Sequence, residues 1–163
     1  MLCKINNYLG VLYRLSGYTA AFFLVLVAVF ILIGITSRIF GFYIRGLAEY
    51  SGYSMAASSF LALAYTFGEK GHIRITLFLE RSKENIRRVL ELWCLFIATF
   101  FSGFLSYYFI KMLIISIKFG ERSEGADEIL IWIPQLSVAI GSTIFFICVT
   151  HNFILSMLKK NNS

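Results

Sequence analysis

Between Leu15 and Ser37 the chain runs for 23 consecutive positions without a charged residue. As an α-helix such a run is about 34 Å long, enough to cross the hydrocarbon core of a bilayer with some tilt. Three more stretches repeat the pattern: Tyr50 to Gly68, Leu92 to Ile110, and Ile129 to Leu158, the last with no Asp, Glu, Lys or Arg. Lipid supplies no hydrogen bonds to the backbone, so an apolar stretch of this length resolves into a helix that satisfies its own amides. The composition agrees. Hydrophobic residues make up 58% of the chain and charged ones 15%, against roughly 25% charged in soluble domains. The expectation is an all-α integral membrane protein, one domain over residues 1–163, with four transmembrane helices at about 15–37, 50–68, 92–110 and 129–158.

The remaining segments are polar or amphipathic. Met1 to Arg14 reads as a short amphipathic entry, with Ile5, Leu9 and Leu12 on one helical face. The apolar run after it is too long for a signal-peptide core and ends in no small-residue cleavage site, so it reads as an uncleaved first span. Residues 38–49 and 111–128 connect spans on one side of the membrane, and the loop 69–91 lies on the other. The connector 38–49 reads as a short amphipathic segment along the interface. Orientation follows from Lys and Arg. The side holding the two termini and the loop 69–91 carries ten of the 15, and the opposite side carries five. The positive-inside rule then predicts cytoplasmic N and C termini, and periplasmic connectors. The basic residues cluster where spans end, which suits anionic headgroups, and no nucleic-acid partner is expected.

Several residues stand out as candidates. Ser54, Ser58 and Ala62 recur every fourth position in the second span, a small-residue stripe that lets another helix approach closely. Trp93 and Trp132 stand near the ends of the third and fourth spans as interfacial anchors. Arg38 and Glu49 bracket the first outer connector, placed either to pair with each other or to meet a partner. The turn Gly68-Glu69-Lys70-Gly71-His72-Ile73-Arg74-Ile75 separates the two pairs of spans. Glu69 there is placed to pair with Lys70 or Arg74 or to reach a base on a partner. Arg74 suits lipid phosphate, and His72 suits a backbone or headgroup contact.

No catalytic, cofactor-binding or metal-binding residues are identified. The three cysteines, Cys3, Cys94 and Cys148, form no C-x-x-C. His72 and His151 lie toward one face and do not form a mid-membrane pair of the kind haem ligation uses. The short loops hold no nucleophile–base set, so an enzyme is not expected. None of the four spans carries an acid or base at its centre, which argues against an independent ion pathway.

The loop residues Glu69, Gly71, His72, Ile73 and Arg74, together with Arg38, Ala48-Glu49-Tyr50, the run Arg87 to Leu92 and Trp132-Ile133-Pro134, carry a resemblance. The chain resembles the small permease subunit, of DctQ type, of the TRAP (tripartite ATP-independent periplasmic) transporters. It departs from that family's pattern at Phe67-Gly68, at Thr76 and after Arg81. The resemblance implies a multi-pass protein of the bacterial inner membrane that binds a large permease subunit. That partner would hold the sodium and substrate sites. A periplasmic binding protein would deliver a small carboxylate or sulfonate, and membrane lipids would cover what the partner leaves exposed. Two readings compete with this one. A self-contained four-span carrier could work as a homodimer, though such exporters use an acidic residue in an early span and Leu15 to Ser37 has none. A haem or quinone redox protein is the third.

Overall fold

The computed structural model describes residues 2–70, 84–123, 125 and 128–159, with side chains for 8–68, 89–123, 125 and 128–157. Four helices occupy them: α1 (Leu2–Ile39), α2 (Leu47–Lys70), α3 (Glu84–Phe119) and α4 (Trp132–Lys159). Tyr8–Ile39, Val89–Phe119 and Trp132–Met157 are each long and apolar enough to cross a membrane. The hydropathy of α2 is lower, because Ser51, Gly52, Ser54, Ser58, Ser59, Thr66 and Gly68 dilute its apolar residues.

Three boundaries differ from the sequence expectation. The amphipathic entry and the first span are one continuous helix, since nothing between Leu2 and Ile39 breaks it; α1 is about 57 Å long. The helix α3 runs on through Lys111 and Lys118 to Phe119, so the second outer connector leaves the helix only at Gly120 rather than at residue 111. The first connector holds no interfacial helix: residues 40–46 are turn and coil, and α2 resumes at Leu47. Gly41 has a φ of 75°, with Phe42 N–H donating to the Ser37 carbonyl at 3.0 Å and Gly41 N–H to that of Arg38 at 3.2 Å. That is a Schellman closure, which glycine permits without a Cβ clash. Gly120 (φ 61°) ends α3 the same way, with Glu121 N–H bonded to the Ser116 carbonyl at 3.2 Å.

The helices stand in a row, α1–α2–α4–α3, with extensive contact between each neighbouring pair and little between α1 and α4. Sequence neighbours α1/α2 and α3/α4 form antiparallel hairpins, and α2 and α4 run parallel in the middle. This order accommodates the low hydropathy of α2, although α4, also an inner helix, stays as apolar as α3. The inner helix α2 meets protein on both sides and can afford serines, whereas α1 and α3, at the ends of the row, leave apolar faces uncovered. Pro134 sits in the first turn of α4, where its missing amide removes no helical hydrogen bond.

Candidate functional site

Each seam in the row is built from a glycine and a hydroxyl or thiol. Between α1 and α2, the Ser16 hydroxyl donates to the Leu61 carbonyl at 2.6 Å, and Ser58 returns a bond to the Ala20 carbonyl at 2.9 Å. Beside them, the Tyr65 ring covers Gly17 so closely that a Cβ there would come within 2.7 Å of it. Between α2 and α4, a Cβ on Gly141 would lie 2.8 Å from the backbone carbon of Phe60, so the two backbones touch. One further turn along, the Cys148 thiol donates to the Ala64 carbonyl at 3.5 Å. Between α4 and α3, Phe146 packs on Gly103, and the hydroxyls of Ser106 and Thr143 are 3.0 Å apart.

The buried polar residues among those described are Ser16, Ser37, Ser54, Ser58, Ser102, Ser106, Ser116 and Ser142. All are serines, and most turn the hydroxyl onto a nearby carbonyl. Ser37, Ser102 and Ser142 bond back to their own helix, whereas Ser16, Ser58 and Ser106 bond across a seam, where such a bond holds two helices together in lipid by about 0.6 kcal/mol.

The outer connector between α3 and α4 folds back over the start of α2. Ser123 and Ile129 share a backbone bond of 2.7 Å, Ile131 N–H reaches the Glu121 carbonyl at 3.1 Å, and Arg122 pairs with Leu130 as an isolated antiparallel bridge. The Tyr53 hydroxyl meets the Ser123 hydroxyl at 2.8 Å, and the Glu49 carboxylate packs directly against Gly125, in the space a Cβ would need. Glu121 accepts the Ser116 hydroxyl at 2.8 Å, which ties the loop to the end of α3. The Arg122–Glu128 ion pair, at 3.5 Å, is solvent-exposed and adds little.

The residues singled out in the sequence are distributed across this frame. Glu69 lies in the last turn of α2; Gly71, His72, Ile73 and Arg74 fall outside the described residues. Arg38 and Glu49 come together around one hollow of about 310 Å3 between the end of α1 and the start of α2. Ser54 and Ser58 face the helix contacts of α2 at 7% and 8% exposure, but Ala62 is only half-buried. The buried edge of α2 is instead Ser54, Ala57, Ser58, Leu61 and Ala64. Its spacing of three and four is that of a helix face, which a strict four-residue repeat drifts away from.

Trp93 is exposed on α3, its ring edge-on to Phe96, and Trp132 opens α4 at the opposite end. The sequence reading missed Gly17, Gly103 and Gly141. A signal for them was present, because each adjoins a serine inside an apolar run: Ser16-Gly17, Ser102-Gly103 and Gly141-Ser142. Among the described residues no group of three or more His, Cys, Asp or Glu side chains is arranged to hold a metal ion.

An open row of apolar helices with a serine interior and one latched connector defines an all-helical membrane component. The family model of the DctQ component of the tripartite ATP-independent periplasmic transporters matches residues 26–159. The chain belongs to that family, and it is therefore a TRAP transporter component of the small permease type, as the loop residues around His72 implied. Neither the curated proteins nor the solved structures compared with it contain a match.

Proposed function

We propose that the protein is the scaffold subunit of a sodium-coupled TRAP importer in the bacterial inner membrane. It binds and stabilises the large permease subunit and carries no transport site of its own. The cargo is a small organic acid, a carboxylate or sulfonate, handed over by a periplasmic binding protein; sodium binds in the large partner. The observation that carries this reading is the distribution of polarity across the row. Among the described residues the buried side chains that carry a polar group are serines, Tyr13 and Cys148, with no Asp, Glu, Lys, Arg or His, while α1 and α3 present Phe22, Val25, Leu32, Phe100, Phe104 and Tyr107 outward. A side chain that binds a carboxylate or exchanges a proton in mid-membrane needs charge or a broken helix, and the described spans are unbroken.

In this reading all four helices cross the bilayer, α2 included, because Ser54 and Ser58 face protein and Ser51 and Ser59 return their hydroxyls to carbonyls of α2 itself. Both termini lie in the cytoplasm, as the ten-to-five partition of Lys and Arg supports. The tryptophans support the same placement. Phe96, one turn from Trp93, packs with Phe153 of α4 at a centroid distance of 6.3 Å, and from Trp132 to Phe153 the axis of α4 rises roughly 32 Å. The two indoles therefore stand about one hydrocarbon thickness apart.

Affinity purification of the tagged chain in mild detergent tests the proposal. A large multi-span partner should accompany it in fixed ratio. A solitary, monodisperse protein, or substrate uptake by liposomes holding this chain alone, overturns the reading and favours the homodimeric carrier.

A further inference from the structure

At the end of the row where α1 begins, a cavity of about 250 Å3 opens between α1, α2 and α4. Among the described residues Gly10, Tyr13, Arg14, Gly68, His151 and Asn152 line it, with no acidic side chain among them. Tyr13 is 8% exposed, and its hydroxyl meets no described group in hydrogen-bonding geometry. Its neighbour is the Cys148 sulfur, a weak acceptor that a phosphate oxygen outcompetes for the O–H. Asn152 is held in place by the bond from its amide to the Cys148 carbonyl at 2.8 Å. The cavity is thus lined by an arginine, a tyrosine whose hydroxyl has only a weak sulfur partner, and a histidine, all of them side chains that can donate to an anion. Its volume lies below the range of drug-sized ligand pockets and suits a single compact group.

A second hollow, of about 480 Å3, shares Arg14 and continues along the α1/α2 groove past Gly17, Tyr18, Ala21 and Tyr65. From Gly10 to Ala21 the groove climbs about 16 Å along α1, with small residues at 10 and 21 leaving it open and the Tyr65 ring, packed on Gly17, forming its wall. The donors lie at one end and the apolar slot leads away from them into the helical row.

We infer that this paired hollow is a phospholipid site. The phosphodiester accepts hydrogen bonds from Arg14 and the Tyr13 hydroxyl, and one acyl chain lies in the slot beside Gly17 and Ala21. A free phosphate shares the headgroup chemistry but leaves the slot without a function. The site does not depend on which partner the protein binds.

Native mass spectrometry of the full chain in mild detergent separates the possibilities, using phosphatidylglycerol, diacylglycerol (the same tails without phosphate) and inorganic phosphate as probes. One phosphatidylglycerol per chain should be retained and diacylglycerol should not. Tyr13→Phe, which keeps the ring packed beside Gly68, should lower retention roughly threefold, the value of one hydrogen bond in lipid. Arg14→Gln should lower it roughly tenfold, the value of a charge-assisted bond. Circular dichroism should show wild-type helicity; if Arg14→Gln does not fold, Tyr13→Phe decides alone. Equal retention of diacylglycerol, wild-type retention by the folded variants, or release of the lipid by excess inorganic phosphate overturns the inference.

Discussion

Ser16 and Ser58 show how little polarity is needed to fix two apolar helices in register. Their hydroxyls cross the same seam in opposite directions, onto the Leu61 and Ala20 carbonyls. Each bond leaves the backbone hydrogen bonds of the helix intact, because a carbonyl has a second lone pair to offer. Replacing either serine by alanine should cost about 0.6 kcal/mol. The double variant should lose roughly the sum or slightly more, since the two bonds share one contact. Thermal unfolding followed by circular dichroism in detergent measures this. A loss of several kcal/mol would mean that these hydroxyls serve something beyond helix pairing.

At the scale of the element, the seam between α2 and α4 depends on Gly141 lying against the backbone of Phe60. Alanine there meets main chain rather than a side chain that can swing aside, so the helices must separate. The expected loss is about 1–3 kcal/mol, as for an overpacked core. Gly10→Ala, at a position with open space around its Cβ, is the control and should be close to neutral in stability. This contrast also marks what the sequence conveyed and what it withheld. The apolar runs announced the helices, because a bilayer admits few alternatives, and the loop around His72 announced the family. The ends of the elements were less legible. Lys111 reads as the edge of the membrane, with the helix free to continue toward Lys118, and α3 does continue through both basic residues until Gly120 reverses the backbone. The packing face of α2 is half legible: the repeat Ser54–Ser58–Ala62 lies on the buried edge at Ser54 and Ser58 and leaves it by Ala62, where Leu61 and Ala64 are buried instead, because spacing alone does not distinguish a four-residue row from the face it crosses.

For the whole molecule, the partition of Lys and Arg sets an expectation that the fold itself does not depend on. Arg74→Glu removes one positive charge from the loop 69–91 and adds a negative one. It should lower membrane insertion or recovery of the assembled complex without altering substrate preference, measured by complex yield and by uptake competition. An altered substrate profile with normal assembly would place this loop at the transport site instead. The two hairpins of the row are joined along the helices, where Gly141 meets Phe60 and Cys148 meets the Ala64 carbonyl, and again at the connector, where Tyr53 and Glu49 of α2 hold Ser123 and Gly125 between α3 and α4. A joint with one fastening pivots, and a joint with two fastenings spaced along the same axis does not. A neighbour that shifts against this row therefore pushes on a braced beam, and its displacement is taken up on the neighbour's side of the contact.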